Sequence, residues 1–178
     1  EVLGPPPTSG TRDAFAELAL GGGCKKFPSI KAMKKADKKA FKKLCYTVRE
    51  DGVYIEAGEN DNLIISKLEE NTKAFGVFGY SFLDQNKDRL QGSIVEDNAP
   101  TFENISSGKY PVSRSLYFYI KNAHVGKIPG ISEYIAEFTS EKSFGNDGYL
   151  QEKGLIPSPD AERAKIRTNA LGLSLAWL

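Results

Sequence analysis

The sequence has few of the residues that build catalytic and metal centres. Its 178 residues include two cysteines, one histidine, one methionine and one tryptophan. A zinc site needs four protein ligands, or three and a water, and Cys24 and Cys45 have no histidine near them. His124 lies in a polar turn before Gly126, as surface histidines commonly do, and a histidine-based centre would need partners that the sequence does not supply. We therefore expect no enzymatic activity, no metal and no cofactor.

Long apolar runs are also missing. No run reaches the roughly 18 residues that a membrane-spanning helix needs. The chain starts without a methionine or the apolar region of a signal peptide, as a mature, processed or trimmed chain would. A composition of 40% hydrophobic and 26% charged residues is that of an ordinary globular protein, with one good core or two small ones.

Positive charge is concentrated in one segment. Residues 25–43 carry nine lysines against Asp37, a net charge of +8, and the rest of the chain carries a net charge of −7. The lysines alternate with apolar residues near the helical period, which predicts a lysine-rich helix or helix pair broken at Pro28. One interpretation is a solvated helix face. The others are contact with anionic lipid or with an acidic partner. Nucleic acid is not expected, because aromatic residues are not interleaved with the lysines.

Residues 4–20 carry the pattern around which the chain is organised, GPPPTSGTRDAFAELAL. The three prolines break the backbone, and Thr8 or Ser9 then occupies the position of a helix N-cap. We predict a strand at Val2 and Leu3, and a helix from about Gly10 to Leu20 that Gly21–Gly23 end. The helix start combines two hydroxyls, unpaired N–H groups and the guanidinium of Arg12, which suits an oxyanion. An ordinary capped helix with a surface arginine is the other interpretation.

Four blocks of sequence resemble one family. GPPPTSGTRDAF, GVYIEAGENDNLI, AFGVFGYSFL and APTFENISSGKYPVSRSLYFYIK resemble, in order, the periplasmic phosphate-binding proteins of ABC-type phosphate importers, the PstS-like solute-binding proteins. The resemblance implies an α/β fold of the periplasmic-binding-protein type (type II), with a mixed sheet flanked by helices. It also implies an exported, periplasmic protein whose partners are inorganic phosphate and a membrane permease.

The resemblance also implies the site and the domains. In the family the SGT segment binds phosphate through hydroxyls and backbone N–H groups, so Ser9, Gly10 and Thr11 are the expected phosphate ligands. Arg12 is similar to the anion-facing arginine of one branch of the family. Residues 1–112 are expected to form the second lobe, and residues 113–178 the return strand and C-terminal helices that would complete the first lobe.

The family also has a first-lobe segment before these blocks, which supplies the other half of the phosphate cage and the acceptor for the phosphate proton. We expect this chain to be a fragment, or to receive that lobe as a separate chain. The isolated chain is then expected to bind phosphate weakly and to discriminate poorly between phosphate and sulfate.

Cys24 and Cys45 bracket the lysine run. In an exported protein the pair is expected to form one disulfide. Two buried free thiols are the alternative, and a redox centre is disfavoured because no C-x-x-C motif is present.

Further elements follow from propensity and turn signals. We predict strands at 53–55, 74–80, 92–95 and, most strongly, 110–121, and helices starting near Asp61, Ser81, Pro100, Ile131, Ser140 and Asp160. Asp61 or Asn60 should cap the helix near 61, and Glu59 and Asp61 are expected to cap or to contact Arg12 rather than to bind an anion. Two interpretations are open for Arg114. It is an anion-site residue, or, as is more common for an arginine on a strand face, it pairs with a carboxylate.

The alternative function is an interaction module of the same fold with no ligand site of its own. Its working surfaces would be the lysine run and the C-terminal return segment.

Overall fold

The computed structural model describes residues 1–174, and these fall into two compact units. Unit 1 contains residues 1–97 and 111–114, and unit 2 contains residues 98–110 and the chain from 115 onward. The assignment of residues 1–112 and 113–178 to two lobes stays a prediction. The apolar C-terminal end that includes Trp177 reaches beyond the described residues.

A parallel sheet forms the centre of unit 1. Its strands are β1 (Val2–Gly4), β2 (Tyr54–Glu56) and β3 (Phe75–Gly76), in the order β2-β1-β3. Val2 pairs with Tyr54 and Leu3 with Ile55 on one side, and Leu3 pairs with Gly76 on the other. The α/β class is confirmed, and the three strands are all parallel where we expected a mixed sheet.

A small apolar core lies beside the sheet. Leu3, Ala57 and Ile64 are at most 4% exposed, and partly buried neighbours pack against them. Ile64 belongs to α5 (Asp61–Glu70), which Asn60 caps by accepting a hydrogen bond from the Asn62 N–H at 3.0 Å. The sheet, this helix and the turns after β1 and β2 therefore form one packed unit.

The first helix is longer than predicted. It runs as α1 (Gly10–Ala14), a π-helical segment (Phe15–Leu20) and α2 (Gly21–Cys24) without a break. The prediction that Gly21–Gly23 end it was wrong, because glycine in a helix costs only about 1 kcal/mol and does not forbid it. A β-carbon at Gly21 would lie 2.6 Å from a ring carbon of Tyr46, so glycine is needed there for close packing.

Two short helices carry the lysine run. Helix α3 (Pro28–Ala36) begins at Pro28, and α4 (Lys38–Cys45) follows after one residue, Asp37, whose side chain accepts a hydrogen bond from the Ala40 N–H at 2.9 Å. Pro28 therefore starts a helix, and the break falls at Asp37. We call residues 25–45 the lysine hairpin.

A disulfide joins the two ends of this hairpin. Cys24 and Cys45 are bonded, with their Cα atoms 6.0 Å apart and a sequence separation of 21. Cys45 and Phe41 are 3% and 0% exposed, so the same end of the hairpin is also anchored by buried apolar side chains.

Reduction of this disulfide is expected to lower the free energy of unfolding of unit 1 by about 3 kcal/mol, since a loop of this length is entropically costly to close without the bond. Urea unfolding of the oxidised and reduced chain measures the difference, with a Cys24→Ser, Cys45→Ser double variant as the control that reductant cannot affect. Equal unfolding midpoints for oxidised and reduced protein would contradict the expectation.

The remaining elements are mostly short helices. They are α6 (Tyr80–Asp84), α7 (Phe102–Ser106), a 3-10 turn (Asn122–His124), α8 (Ile131–Phe138), α9 (Glu141–Phe144), a second 3-10 turn (Gln151–Lys153) and α10 (Asp160–Leu171). Thr101 caps α7 as its position predicts, by accepting from the Asn104 N–H at 3.2 Å. Within residues 1–174 no helix is both long and apolar enough to span a bilayer.

Two predicted strands are absent from this part of the chain. Residues 110–121 and 92–95 form no strand in the described structure, and the predicted strand at 74–80 is reduced to Phe75–Gly76. Leu116, Tyr117 and Tyr119 are 66–78% exposed. β-Propensity describes how well a side chain fits a pleated, half-buried surface, and no neighbouring strand provides that surface here.

Unit 2 contains a buried arginine with several polar contacts. Arg163 of α10 is 4% exposed, and its guanidinium contacts the carboxylates of Glu141 and Asp160 at 2.9 Å and 3.0 Å. It also donates to the Ser158 carbonyl at 2.6 Å and to Asn146 Oδ1 at 3.0 Å. The hydrogen bonds with Glu141 are the largest cause of a raised pKa at Arg163, so the group stays charged.

Candidate anion site at a helix start

The candidate site is the turn that leads from β1 into α1. Pro5 is fully buried, and the Ser9 N–H donates to the Pro6 carbonyl at 3.0 Å. Ser9 has extended φ and ψ, and its Oγ accepts from the Thr11 N–H at 3.2 Å. Of the two predicted capping residues, Ser9 is therefore the cap. We call Ser9–Arg12 the SGTR turn.

Several donors of the SGTR turn have no protein acceptor among residues 1–174. The Ser9 carbonyl accepts from the N–H groups of Arg12 and Asp13, at 3.1 and 3.3 Å. The Gly10 N–H and the hydroxyl hydrogens of Ser9 and Thr11 make no such bond within the described chain. Three donors at the positive end of a helix are a suitable environment for an oxyanion.

Arg12 is held in place on three sides. Its side chain is 15% exposed, and Nη1 donates to Glu56 Oε1 at 3.0 Å and to the Pro5 carbonyl at 3.4 Å. The guanidinium carbon lies 4.7 Å from the centre of the Tyr54 ring, which is cation–π distance. A cation fixed this way next to the helix start loses little freedom when an anion arrives.

Tyr54 contacts both Arg12 and the proline turn. Its hydroxyl donates to the Pro5 carbonyl at 3.0 Å, so the same carbonyl accepts from both Tyr54 and Arg12. Burial is the main reason that the pKa of Tyr54 is raised, with the charge of Arg12 acting in the opposite direction. The phenol therefore stays protonated at neutral pH and remains a hydrogen-bond donor.

Arg114 also lies at the SGTR turn. Its Nη2 donates to the Gly10 carbonyl at 3.1 Å, although 104 residues separate the two. Within residues 1–174 Arg114 makes no ion pair, so the expected carboxylate partner is not found in this part of the chain. The structure thus brings a second guanidinium, exposed to solvent, to the turn. The sequence names Arg114 as one candidate for an anion site but does not indicate this location.

The acidic residues near the site do not behave as predicted. Glu59 Oε1 accepts from the Thr8 hydroxyl at 2.5 Å, and Asp61 Oδ2 accepts from the Gly79 N–H at 3.3 Å. Burial is the largest influence on Asp61 and raises its pKa, while the Gly79 hydrogen bond opposes this. The predicted contact of Glu59 or Asp61 with Arg12 was wrong, because Glu56 holds Arg12.

Glu56 is a residue of the candidate site that the sequence analysis missed. It ends β2 and is paired in register with Gly4 at the end of β1, immediately before the proline turn. The carboxyl ends of adjacent parallel strands meet at one edge of a sheet, so a carboxylate there faces whatever follows β1. Had β1 and β2 been aligned from the sequence, this rule would have placed Glu56 beside the SGTR turn.

Metal binding has no support in the described structure. Residues 1–174 contain no group of three or more histidine, cysteine, aspartate or glutamate side chains arranged to hold a metal ion. The unpaired polar groups of the SGTR turn are hydroxyl and N–H donors, which suit an anion.

The comparisons with known proteins identify one family and several relatives of the same name. A family model described as a PBP superfamily domain matches residues 1–142. The phosphate-binding protein PstS of Staphylococcus saprophyticus is 28% identical over 147 residues, which cover 80% of this chain and 37% of that protein. The proteins of the same name from S. haemolyticus and S. epidermidis are 32% and 35% identical over 108 and 110 residues. Those matches cover 56% and 58% of this chain, and 34% and 32% of the two relatives.

The chain thus spans about a third of the length of these curated relatives. No solved structure matches it.

Proposed function

This chain belongs to the PBP superfamily, and from that membership we propose that it binds inorganic phosphate at the SGTR turn. It does so as the solute-binding component, or part of that component, of an ABC-type phosphate uptake system. The observation that carries the proposal is the group of unpaired donors at Ser9, Gly10 and Thr11 beside the fixed guanidinium of Arg12. The relatives named phosphate-binding proteins support the choice of anion.

Phosphate would be held from the side of this lobe by two kinds of donor. The hydroxyls of Ser9 and Thr11 and the Gly10 N–H would bind its oxygens along the helix axis. Arg12 would add a charge-assisted hydrogen bond, which is shorter and about twice as strong as a neutral one. Further donors, and the acceptor for the phosphate proton, would come from a first lobe, either in a longer chain or in a separate one.

Export and transport follow as parts of the same proposal. A periplasmic location agrees with the disulfide between Cys24 and Cys45, because disulfides persist in oxidising compartments. The partner that receives phosphate would be the importer's membrane permease. We propose no catalytic role for the chain.

Glu56 would compete with phosphate for Arg12. Its carboxylate is 52% exposed and already accepts from Arg12 Nη1 at 3.0 Å. An arriving dianion must therefore share the guanidinium with Glu56 and tolerate its negative charge.

Replacing Glu56 by glutamine is expected to raise the affinity for phosphate about fivefold, since an exposed ion pair is worth up to about 1 kcal/mol and its competition is removed. Calorimetric titration with phosphate measures the change. Glu69→Gln removes an equivalent exposed carboxylate, the partner of Arg89 at 2.6 Å, and serves as the matched control. Weaker binding by Glu56→Gln would show that Glu56 supports the site and does not compete with the anion.

The direct test of the proposed function is calorimetric titration of this chain with phosphate and then with sulfate. We expect weak binding of both anions, with less than about a tenfold preference for phosphate, because discrimination needs an acceptor for the phosphate proton. Tight, phosphate-selective binding would overturn the expectation of an incomplete cage. Absence of heat with both anions would contradict a site in this lobe alone.

An interaction module of the same fold is the second candidate. It is favoured by one observation, which is that Arg12 and Thr8 already have carboxylate partners, Glu56 and Glu59. Binding of a partner that persists in Arg12→Ala and weakens with added salt would support this candidate over phosphate binding.

A further inference from the structure

Most lysines of the lysine hairpin make no ion pair within the part of the chain that the structure describes. Within residues 1–174 one of its nine lysines makes an ion pair, Lys26 with Glu96 at 2.6 Å. Its single acidic residue, Asp37, is already used to cap α4. All of the lysines are exposed except Lys25, which is half-buried. Seven exposed lysines therefore lie on two short helices, α3 and α4.

Apolar side chains are exposed next to these lysines. Phe27 is 60% exposed and Leu44 is 55% exposed. Phe27 lies three residues after Cys24, and Leu44 directly precedes Cys45, so the disulfide keeps the segments that carry them at the same end of the hairpin. Unlike Phe41, which anchors α4 in the interior, these two have most of their surface in water.

The hairpin is also pre-organised. The disulfide closes its base, and the rings of Phe41 and Tyr46 pack edge to face with centres 6.0 Å apart. Lys34 and Lys42 lie over these two rings, each at 5.9 Å from the ring centre. A surface fixed in this way loses little conformational entropy when it binds a partner.

We propose that the lysine hairpin binds an anionic lipid surface. Clusters of four to eight basic residues on amphipathic helices are attracted to anionic headgroups by about 1 kcal/mol for each charge near the surface. Phe27 and Leu44 fit the boundary between headgroups and acyl chains, where amphipathic helices bury their apolar side chains. An acidic polypeptide could use the lysines, but it would give these two exposed apolar residues no role.

The charge distribution of the whole chain gives this binding a direction. The hairpin's +8 is set against −7 on the remainder, so the charge is unevenly distributed along the chain although its net charge is only +1. Near an anionic bilayer the hairpin is attracted and the remainder is repelled, and the chain approaches hairpin first. This inference uses no residue of the SGTR turn and does not depend on phosphate binding.

Sedimentation with lipid vesicles tests the proposal on the whole 178-residue chain. We expect it to pellet with vesicles of mixed phosphatidylcholine and phosphatidylglycerol at low salt, and to stay in the supernatant with phosphatidylcholine alone. Replacing Lys31, Lys35, Lys38 and Lys39 by glutamine should weaken binding by at least about a hundredfold. The matched control replaces four exposed lysines elsewhere, Lys73, Lys109, Lys121 and Lys127, and should bind nearly as the unaltered chain does.

A second variant separates lipid from a polyanionic polypeptide. Phe27→Ser with Leu44→Ser should weaken binding to the anionic vesicles at least about tenfold, because it removes the apolar contacts, and should leave binding to polyglutamate unchanged. Equal pelleting with neutral and anionic vesicles would overturn the proposal, as would equal losses in the two lysine variants. Binding to polyglutamate without binding to vesicles would assign the hairpin to an acidic polypeptide instead.

Discussion

Replacing Arg12 by alanine is expected to weaken phosphate binding by about a hundredfold, because hydrogen bonds to charged groups contribute about 1.5–3 kcal/mol each. The guanidinium is only 15% exposed and is already fixed by Glu56, the Pro5 carbonyl and the Tyr54 ring. The anion therefore gains a strong interaction without the cost of ordering a flexible side chain. Calorimetric titration with phosphate measures the loss.

The matched control is Arg89→Ala, which removes an equally charged arginine from an exposed ion pair with Glu69. It should leave phosphate binding unchanged. Arg12→Lys should recover only part of the affinity, because an ammonium group keeps the charge but lacks the planar fork that binds two oxygens at once. Equal losses in Arg12→Ala and Arg89→Ala would mean that only net charge matters and that the anion is not bound at the SGTR turn.

Replacing Arg163 by leucine is expected to lower the free energy of unfolding of unit 2 by about 3 kcal/mol, because acceptors inside the unit lose a donor that leucine cannot replace. Arg163 is 4% exposed and donates to the Ser158 carbonyl and to Asn146 Oδ1. Its ionic partners Glu141 and Asp160 are 64% and 81% exposed, so water solvates them once the arginine is gone. The expected loss of free energy of unfolding is therefore assigned to the polar contacts and packing of Arg163 itself.

Hydrogen exchange measured by mass spectrometry locates this effect. Protection should fall in α8, α9 and α10 of the Arg163→Leu variant and stay unchanged in the sheet of unit 1. The control is Lys165→Ala, which removes an exposed cation from the same helix. It should change the free energy of unfolding by less than about 0.5 kcal/mol. Unchanged protection across α8–α10 would show that the network around Arg163 does not stabilise the unit.

The local elements of this chain could be predicted where nearby residues decide the structure. Ser9 and Thr101 cap helices because their side chains reach N–H groups two or three residues ahead. The last helix begins at Asp160, directly after Pro159, as the sequence predicts.

Long-range pairings explain what the sequence could not indicate. The segment 110–121 has strand-forming residues, but a strand exists only beside another, and propensity says nothing about a neighbour. The helix continues through Gly21, and the ring of Tyr46, 25 residues later, packs closely against this glycine. In the candidate site, strand register brings Glu56 to the SGTR turn and a tertiary contact brings Arg114 there. The sequence offers Arg114 as one of two alternatives but does not place it at this turn.

The central claim is that phosphate binds at the SGTR turn, and the most direct test is a titration of the isotopically labelled chain with phosphate, followed by amide NMR. The largest shifts are expected at the amides of Gly10 and Thr11, and they should saturate with phosphate and be lost in Arg12→Ala. Shifts that centre on the lysine hairpin, and that any added salt reproduces, would contradict it.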